Sequence, residues 1–187
     1  GVWKLIAQYL QREVPADGVV VDIGAGYCSF INNISAKTRH AVDSYGDFQK
    51  YAASGVVTHV APCYDLRGIQ SGSADVVFSS NVLEHLTRDE IGKTLDETHR
   101  ILKAGGKVML LLPNYRYCCR DYFDDYTHQT PLTDISLADW LTSKGFTVTK
   151  SFPKFLPFSF KSKLPKNLLL VWLYLRSPLK PFASARR

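Results

Sequence analysis

The chain alternates between segments with helical spacing of apolar residues and short runs of strand-forming residues. Apolar positions in residues 2–10 recur every three or four residues, which predicts an amphipathic helix. Runs rich in β-branched residues predict strands at 19–23, 40–43, 56–60, 74–79, 107–112 and 146–149. Further helices are predicted at 30–37, at 89–102 with a glycine C-cap in residues 103–106, and at 136–144 with Gly145 as its stop.

This alternation predicts an α/β fold with a doubly wound, mostly parallel sheet and helices on both of its faces. In such sheets ligands bind beyond the carboxyl ends of the strands, near the point where the strand order reverses. Functional residues are therefore expected just after the first, second, fourth and fifth strands. Residues 1–150 are predicted to form the core, and residues 151–187 a segment that completes or caps the same domain.

The composition fits one globular domain of 187 residues, with 45% hydrophobic and 21% charged residues. The four cysteines have no zinc-binding spacing, so no metal site is predicted and free thiols in a reducing cytoplasm are expected. No signal peptide is predicted, and the start without Met leads us to expect a trimmed or tagged fragment. The longest apolar run, 168–175, has eight residues, too few for a transmembrane helix, which needs about 20.

A glycine loop follows the first predicted strand. Gly24 and Gly26, separated by Ala25, allow a sharp turn and a close approach of a ligand to the backbone. Asp22 ends the strand, where it could order the loop or accept a hydrogen bond from a ligand ammonium group. Asp43 follows the second strand, and an ionised carboxylate there can accept hydrogen bonds from both hydroxyls of a ribose. Together these residues favour a nucleoside site.

Residues 22–26 (Asp-Ile-Gly-Ala-Gly) resemble motif I of the class I S-adenosylmethionine-dependent methyltransferases. Residues 75–86 resemble the family's fourth-strand motif, and residues 100–110 resemble its helix, glycine turn and fifth strand. Residues 126–128 and then 137–146 resemble its closing region, so that all the motifs occur in the family's order. The resemblance covers roughly residues 1–150 and implies a seven-stranded type of Rossmann-like sheet. It also implies S-adenosylmethionine as cofactor and S-adenosylhomocysteine as product.

The resemblance implies a role for each cofactor-binding residue. Gly24 and Gly26 would lie along the methionine part, Asp43 would hold the ribose, and Asn81 and Val82 would line the methionine side. Three residues after the third strand would flank the adenine: Tyr64, Asp65 and Leu66. Two departures are visible: Cys28 stands where the family often has a third glycine, and Cys63 or Tyr64 replaces the usual acidic residue if Asp65 is not its equivalent.

Methyl transfer from a sulfonium depends mainly on positioning the acceptor in line, with a general base where the acceptor is a hydroxyl. His128, His85 and Glu84 are the candidate bases, although Glu84 also fits a helix-start carboxylate. The loop after the fifth strand supplies the predicted acceptor contacts: Asn114, Tyr115, Arg116, Tyr122 and Tyr126. The predicted acceptor atom is an oxygen or nitrogen of a small-molecule or a glycan- or lipid-linked substrate.

The formal charge of +6 arises entirely from the end of the chain, since residues 140–187 carry ten basic and no acidic side chains. Aromatic residues are interleaved with these cations. Three interpretations remain open: a helix packed over the acceptor pocket, a peripheral membrane contact through residues 152–180, and nucleic-acid binding, which is the least favoured. The expected location is cytoplasmic, and a peripheral position at the inner membrane surface is kept as an alternative. No seventh strand is evident, because residues 181–184 are a poor candidate.

Two other functions use similar features. A nicotinamide-dependent oxidoreductase also has a glycine loop and a distant Asp, but its Gly-x-Gly-x-x-Gly pattern would require glycine at position 29, which is Ser29. A non-catalytic module that binds S-adenosylmethionine would retain the same cofactor motifs.

Overall fold

The core of the molecule is a five-stranded parallel sheet. The computed structural model describes residues 1–155 and 167–177. The strands are β1 (Val19–Ile23), β2 (Thr38–Asp43), β3 (Val56–Val60), β4 (Ala74–Ser80) and β5 (Leu102–Leu111). Their order is β3-β2-β1-β4-β5, so the direction of winding reverses between β1 and β4. This confirms the doubly wound α/β fold, with five strands in the described part of the chain.

Helices cover both faces of the sheet. They are α1 (Val2–Leu10), α2 (Arg88–Ile101), α3 (Tyr115–Cys118), α4 (Asp134–Ser143) and α5 (Leu168–Arg176). Ala7 of α1 packs in the cluster that contains Val20 and Phe78, whereas Ile101 of α2 packs with Val21 and Val77. Because successive residues of a strand point to opposite faces, these two clusters lie on opposite sides of the sheet.

The predicted helix at 30–37 is wrong, because the structure has only a 3-10 turn there, Ile31–Asn33. Two asparagines explain the difference. The Asn32 side chain donates to the Tyr51 carbonyl at 2.7 Å and accepts from the Ala53 N–H, and Asn33 donates to the Ser29 carbonyl. Asparagine side chains that bond to the backbone compete with helical hydrogen bonds, and here they stabilise an irregular crossover from β1 to β2.

The predicted glycine C-cap of α2 is also wrong. Helix α2 ends at Ile101, and Leu102 is already extended and pairs with Ala74. The glycines therefore lie inside β5, beside an irregularity in its pairing with β4. Gly106 is needed there for space, since a Cβ atom would lie 2.9 Å from the Lys103 carbonyl oxygen.

The end of the core follows the prediction in part. Gly145 stops α4 with a φ of 86°, as expected. The predicted strand at 146–149 is absent, and these residues are irregular. Phe146 bonds to the Leu141 carbonyl and its ring packs edge-on to His99, so the chain turns back onto α2 instead of extending along β5.

Helix α5 forms within the apolar run of the C-terminal segment and packs against α1. Val171 and Leu175 are buried against Ile6, while Leu169, Leu170 and Leu173 are about half exposed or more. No helix in the described ranges has the length and apolar character needed to cross a membrane. Residues 156–166 and 178–187, which include much of the basic segment and the candidate seventh strand at 181–184, lie outside the described residues.

Candidate active site

The glycine loop lies at the carboxyl edge of the sheet and is held by the neighbouring strand. The N–H groups of Gly24 and Ala25 both donate to the Val42 carbonyl, at 2.8 and 3.0 Å. Gly24 and Gly26 have φ values of 72° and 49°, in the left-handed region that favours glycine. Cys28, where the family resemblance predicts a third glycine, also has a positive φ, 54°, and its side chain is buried. The departure in sequence therefore leaves the backbone in a glycine-like conformation.

Asp43 connects the end of β2 to this loop. One carboxylate oxygen accepts from the Gly26 N–H at 2.9 Å, and the other accepts from the Tyr45 N–H at 2.9 Å. Each oxygen of a carboxylate can accept two hydrogen bonds, so both retain capacity for a ligand hydroxyl. Asp22, in contrast, is 3% exposed, and burial raises its pKa to about 7, with the nearby Asp43 charge contributing. Its position fits ordering of the loop better than direct contact with a ligand.

The segment after β3 is divided between core and surface. Leu66 is buried in the cluster that contains Val21 and Val42, so its side chain packs in the sheet core. Asp65 forms an ion pair with Arg67 at 2.6 Å, which lowers the pKa of the Asp65 carboxyl to about 2. Tyr64 is half-buried. A pocket of about 500 Å³ lies beside this segment and reaches Val42 and Val60, near the carboxyl ends of β2 and β3.

The loop after β4 packs directly on the glycine loop. Asn81 has a φ of 53°, which asparagine tolerates better than most residues, and its N–H donates to the Leu111 carbonyl of β5. Val82 then lies over Gly24: a Cβ atom added to Gly24 would approach a Val82 methyl group to 2.2 Å. The structure thus brings together the glycine loop, Asp43 and the residues after β4, as the sequence predicts.

Glu84 and His85 lie on the short 3-10 helix that follows Val82, and His128 lies beside them from a later loop, so that the three side chains form a cluster. One potential ligand atom of each side chain lies within 4.8 Å of those of the other two. Glu84 is 1% exposed, and neither of its carboxylate oxygens has a hydrogen-bond partner in the described part of the chain. Burial raises the pKa of Glu84 to about 7. Glu84 lies in the first turn of a short 3-10 helix, Leu83–His85, as the helix-start prediction has it, but it is also deeply buried, a feature that its place in the sequence did not reveal.

The predicted acceptor residues have unequal access to solvent. Tyr122 is 2% exposed and its hydroxyl donates to the Thr130 carbonyl, so it supports the loop from inside. Asn114 caps α3 and donates to Asp134, so its polar atoms are occupied. Tyr115 packs edge-on to Tyr122. Two predicted residues remain open at the surface: Arg116 and Tyr126, the latter 93% exposed.

Comparison with known proteins agrees with this geometry. Residues 21–110 match the family model described as a methyltransferase domain. A SAM-dependent methyltransferase from Archaeoglobus fulgidus has 22% identity and a TM-score of 0.66, covering 78% of this chain and 69% of that one. A complex of the Trm112 methyltransferase activator and a methyltransferase from Haloferax volcanii gives 16% identity and a TM-score of 0.70, with coverage of 92% and 84%. No curated protein matches the chain significantly.

Proposed function

We propose that this chain, of which residues 21–110 match a methyltransferase-domain model, is a class I S-adenosylmethionine-dependent methyltransferase, and that it methylates an oxygen or nitrogen atom of a small-molecule or a glycan- or lipid-linked acceptor. The observation that carries the proposal is the meeting of three strand ends at one edge of the sheet. There the glycine loop, Asp43 and Val82 lie together, and the turn bearing His85 follows directly.

The cofactor-binding part of the proposal assigns a task to each of these groups. The unused acceptor capacity of Asp43 binds the ribose hydroxyls, and the main chain at Gly24 and Gly26 lies along the methionine part. The cofactor supplies an activated methyl group on a sulfonium. The protein then has to hold the acceptor in line with the methyl carbon, which is a contribution of proximity and orientation.

A lipid-linked acceptor is supported by the position of α5. The Tyr174 hydroxyl of α5 donates to the Lys154 carbonyl at 2.8 Å, and the Lys154 ammonium group lies 4.5 Å from the ring centre of Tyr117 in the acceptor loop. Lys154 thus contacts both α5, which carries the half-exposed leucines, and the loop that is predicted to bind the acceptor. An apolar helix face beside cations suits contact with the surface of an anionic membrane, where such an acceptor would reside.

The proposal is tested first by thermal unfolding with S-adenosylhomocysteine, using NAD as the control ligand. Binding to the folded state should stabilise the protein by about 2.7 kcal/mol at a hundredfold excess over Kd. Labelled S-adenosylmethionine is then offered with hydroxyl and amine acceptors, both free in solution and in anionic vesicles. Transfer to a vesicle-borne acceptor supports the lipid-linked form, and transfer to soluble ones supports the small-molecule form. Stabilisation by NAD alone would contradict the proposal.

A further inference from the structure

The segment of residues 127–130 is fastened onto the turn after β4 by several hydrogen bonds. The N–H groups of Gln129 and Thr130 both donate to the Glu84 carbonyl, at 2.8 and 3.1 Å. The Gln129 side chain donates to the His85 carbonyl, and the Thr130 hydroxyl donates to the Leu86 carbonyl, both at 2.6 Å. Two segments more than 40 residues apart in sequence therefore form one rigid unit, which places the side chains of Glu84, His85 and His128 together.

Both imidazoles are oriented by a hydrogen bond at Nδ1. His128 Nδ1 lies 2.7 Å from the Tyr122 carbonyl, which can only accept, so Nδ1 carries the proton. His85 Nδ1 lies 2.9 Å from the Thr127 hydroxyl, whose own proton goes to Asp125. The Thr127 oxygen therefore accepts from His85. In both rings the Nε2 lone pair is left available, which is the arrangement typical of histidines that bind a metal.

Glu84 supplies the third donor. The residue is 1% exposed, and neither carboxylate oxygen has a hydrogen-bond partner in the described part of the chain. A buried carboxylate without a hydrogen bond or a counter-charge is costly, so the group is either protonated or neutralised by a bound cation. The Glu84 side chain lies with the two imidazoles, and the ligand atoms of all three are within 4.8 Å of one another.

We propose that Glu84, His85 and His128 bind a divalent transition-metal ion at the acceptor end of the active site. Two imidazoles and one carboxylate form the donor set of catalytic zinc sites and of the facial triad that binds divalent iron. Magnesium and calcium prefer oxygen donors alone, so this set selects against them. The Asp125 carboxylate, 3.9 Å from His128 Nε2, lies close enough to bind as a further ligand or to orient bound water.

The catalytic consequence of this site rests on the proposed function. An acceptor hydroxyl bound to an open position of the metal would lose its proton to solvent more easily, because the cation stabilises the oxyanion. That oxygen would attack the methyl carbon while the carbon–sulfur bond breaks. The electron pair of the broken bond would go to sulfur, which gives the neutral thioether. The histidines would then act as ligands rather than as the general bases that the sequence analysis predicts. The site also differs from the prediction that no metal binds.

The test is a titration of the full, chelator-treated chain with Co²⁺, in which binding is measured by the visible absorption of bound Co²⁺. Zn²⁺ is then added as a competing ion. We expect one saturable site, a spectrum of nitrogen and oxygen ligation without thiolate charge transfer, and displacement by Zn²⁺. Glu84→Gln and His128→Gln should each weaken Co²⁺ binding by at least about tenfold. The matched control is His99→Gln, whose ring packs on Phe146 away from the cluster and whose loss should leave Co²⁺ affinity unchanged.

Three outcomes overturn the metal site: no saturation at millimolar Co²⁺, a thiolate spectrum, or full affinity retained in both cluster variants. Thermal unfolding of the Glu84→Gln protein shows whether it is folded, and the near-identical size of the two side chains makes folding the expectation. The same samples are titrated with S-adenosylhomocysteine. If the protein binds S-adenosylhomocysteine but does not bind Co²⁺, only the metal site is refuted. If it binds Co²⁺ but does not bind S-adenosylhomocysteine, only the proposed function is refuted.

Discussion

The packing of Val82 against the glycine loop predicts a specific cost for Gly24→Ala. A new Cβ atom would lie 2.2 Å from a Val82 methyl group, so the loop after β4 would have to move. Overpacking of this kind costs about 1–3 kcal/mol. The φ of 72° adds about 1–2 kcal/mol for a residue with a side chain. The free energy of unfolding should therefore fall by roughly 2–5 kcal/mol, which for a protein of this size lowers Tm by roughly 4–20 °C.

The two contributions are separated by matched variants and denaturant unfolding. Gly26 also has a positive φ but no atom within 4 Å of an added Cβ, so Gly26→Ala should show only the backbone cost of about 1–2 kcal/mol. In the double variant Gly24→Ala/Val82→Ala the steric part should disappear relative to Val82→Ala alone. Equal losses for Gly24→Ala and Gly26→Ala, or no recovery in the double variant, would refute the reasoning that the two loops are in contact.

Three further predictions concern single carboxylates. Asp43→Asn should weaken binding of S-adenosylhomocysteine by at least about tenfold, since hydrogen bonds to charged groups contribute about 1.5–3 kcal/mol, whereas the exposed Asp47→Asn should not; calorimetric titration of both decides. Lys107 and Lys150 lower the pKa of Glu13 to about 2, so its stabilising contribution is present above the unfolded pKa near 4.5 and is lost as pH falls towards 2; Glu13→Gln should show a flatter acid-unfolding profile. The pKa of Asp22 is raised to about 7, so stability should fall as pH rises from about 4 to 7, and Asp22→Asn should reduce that slope to the part that Glu84 contributes through its own raised pKa.

Each of these is refuted by a clear result. Equal affinities for S-adenosylhomocysteine in the Asp43→Asn and Asp47→Asn proteins would exclude the ribose role. Parallel acid-unfolding curves for the wild type and Glu13→Gln would exclude the ion pairs with the two lysines. Equal slopes between pH 4 and 7 in the wild type and Asp22→Asn would show that Asp22 is ionised at little cost.

The sequence by itself determined the five parallel strands of the sheet and the meeting of Asp43 with the glycine loop at its carboxyl edge. Val19–Ile23 and Ala74–Ser80 form strands within a residue of the predicted bounds, because parallel strands that are buried on both faces consist of short, nearly continuous apolar runs. The position of Asp43 next to the glycine loop follows from the same pattern, since parallel neighbours end at the same edge of the sheet. Local periodicity was therefore sufficient wherever burial on both faces decided the structure.

Only the tertiary structure decided the elements whose partners are distant in sequence. The side chain of Asn32 bonds to Tyr51 and Ala53 and thereby stabilises a 3-10 crossover where a helix was predicted, and Phe146 turned back onto α2 where a strand was predicted. The burial of Glu84 and its meeting with His128 depend on hydrogen bonds between residues 84–86 and 129–130, more than 40 residues apart. A single sequence shows which groups can ionise, but the desolvation that raises the pKa of Glu84 comes from the folded packing around it.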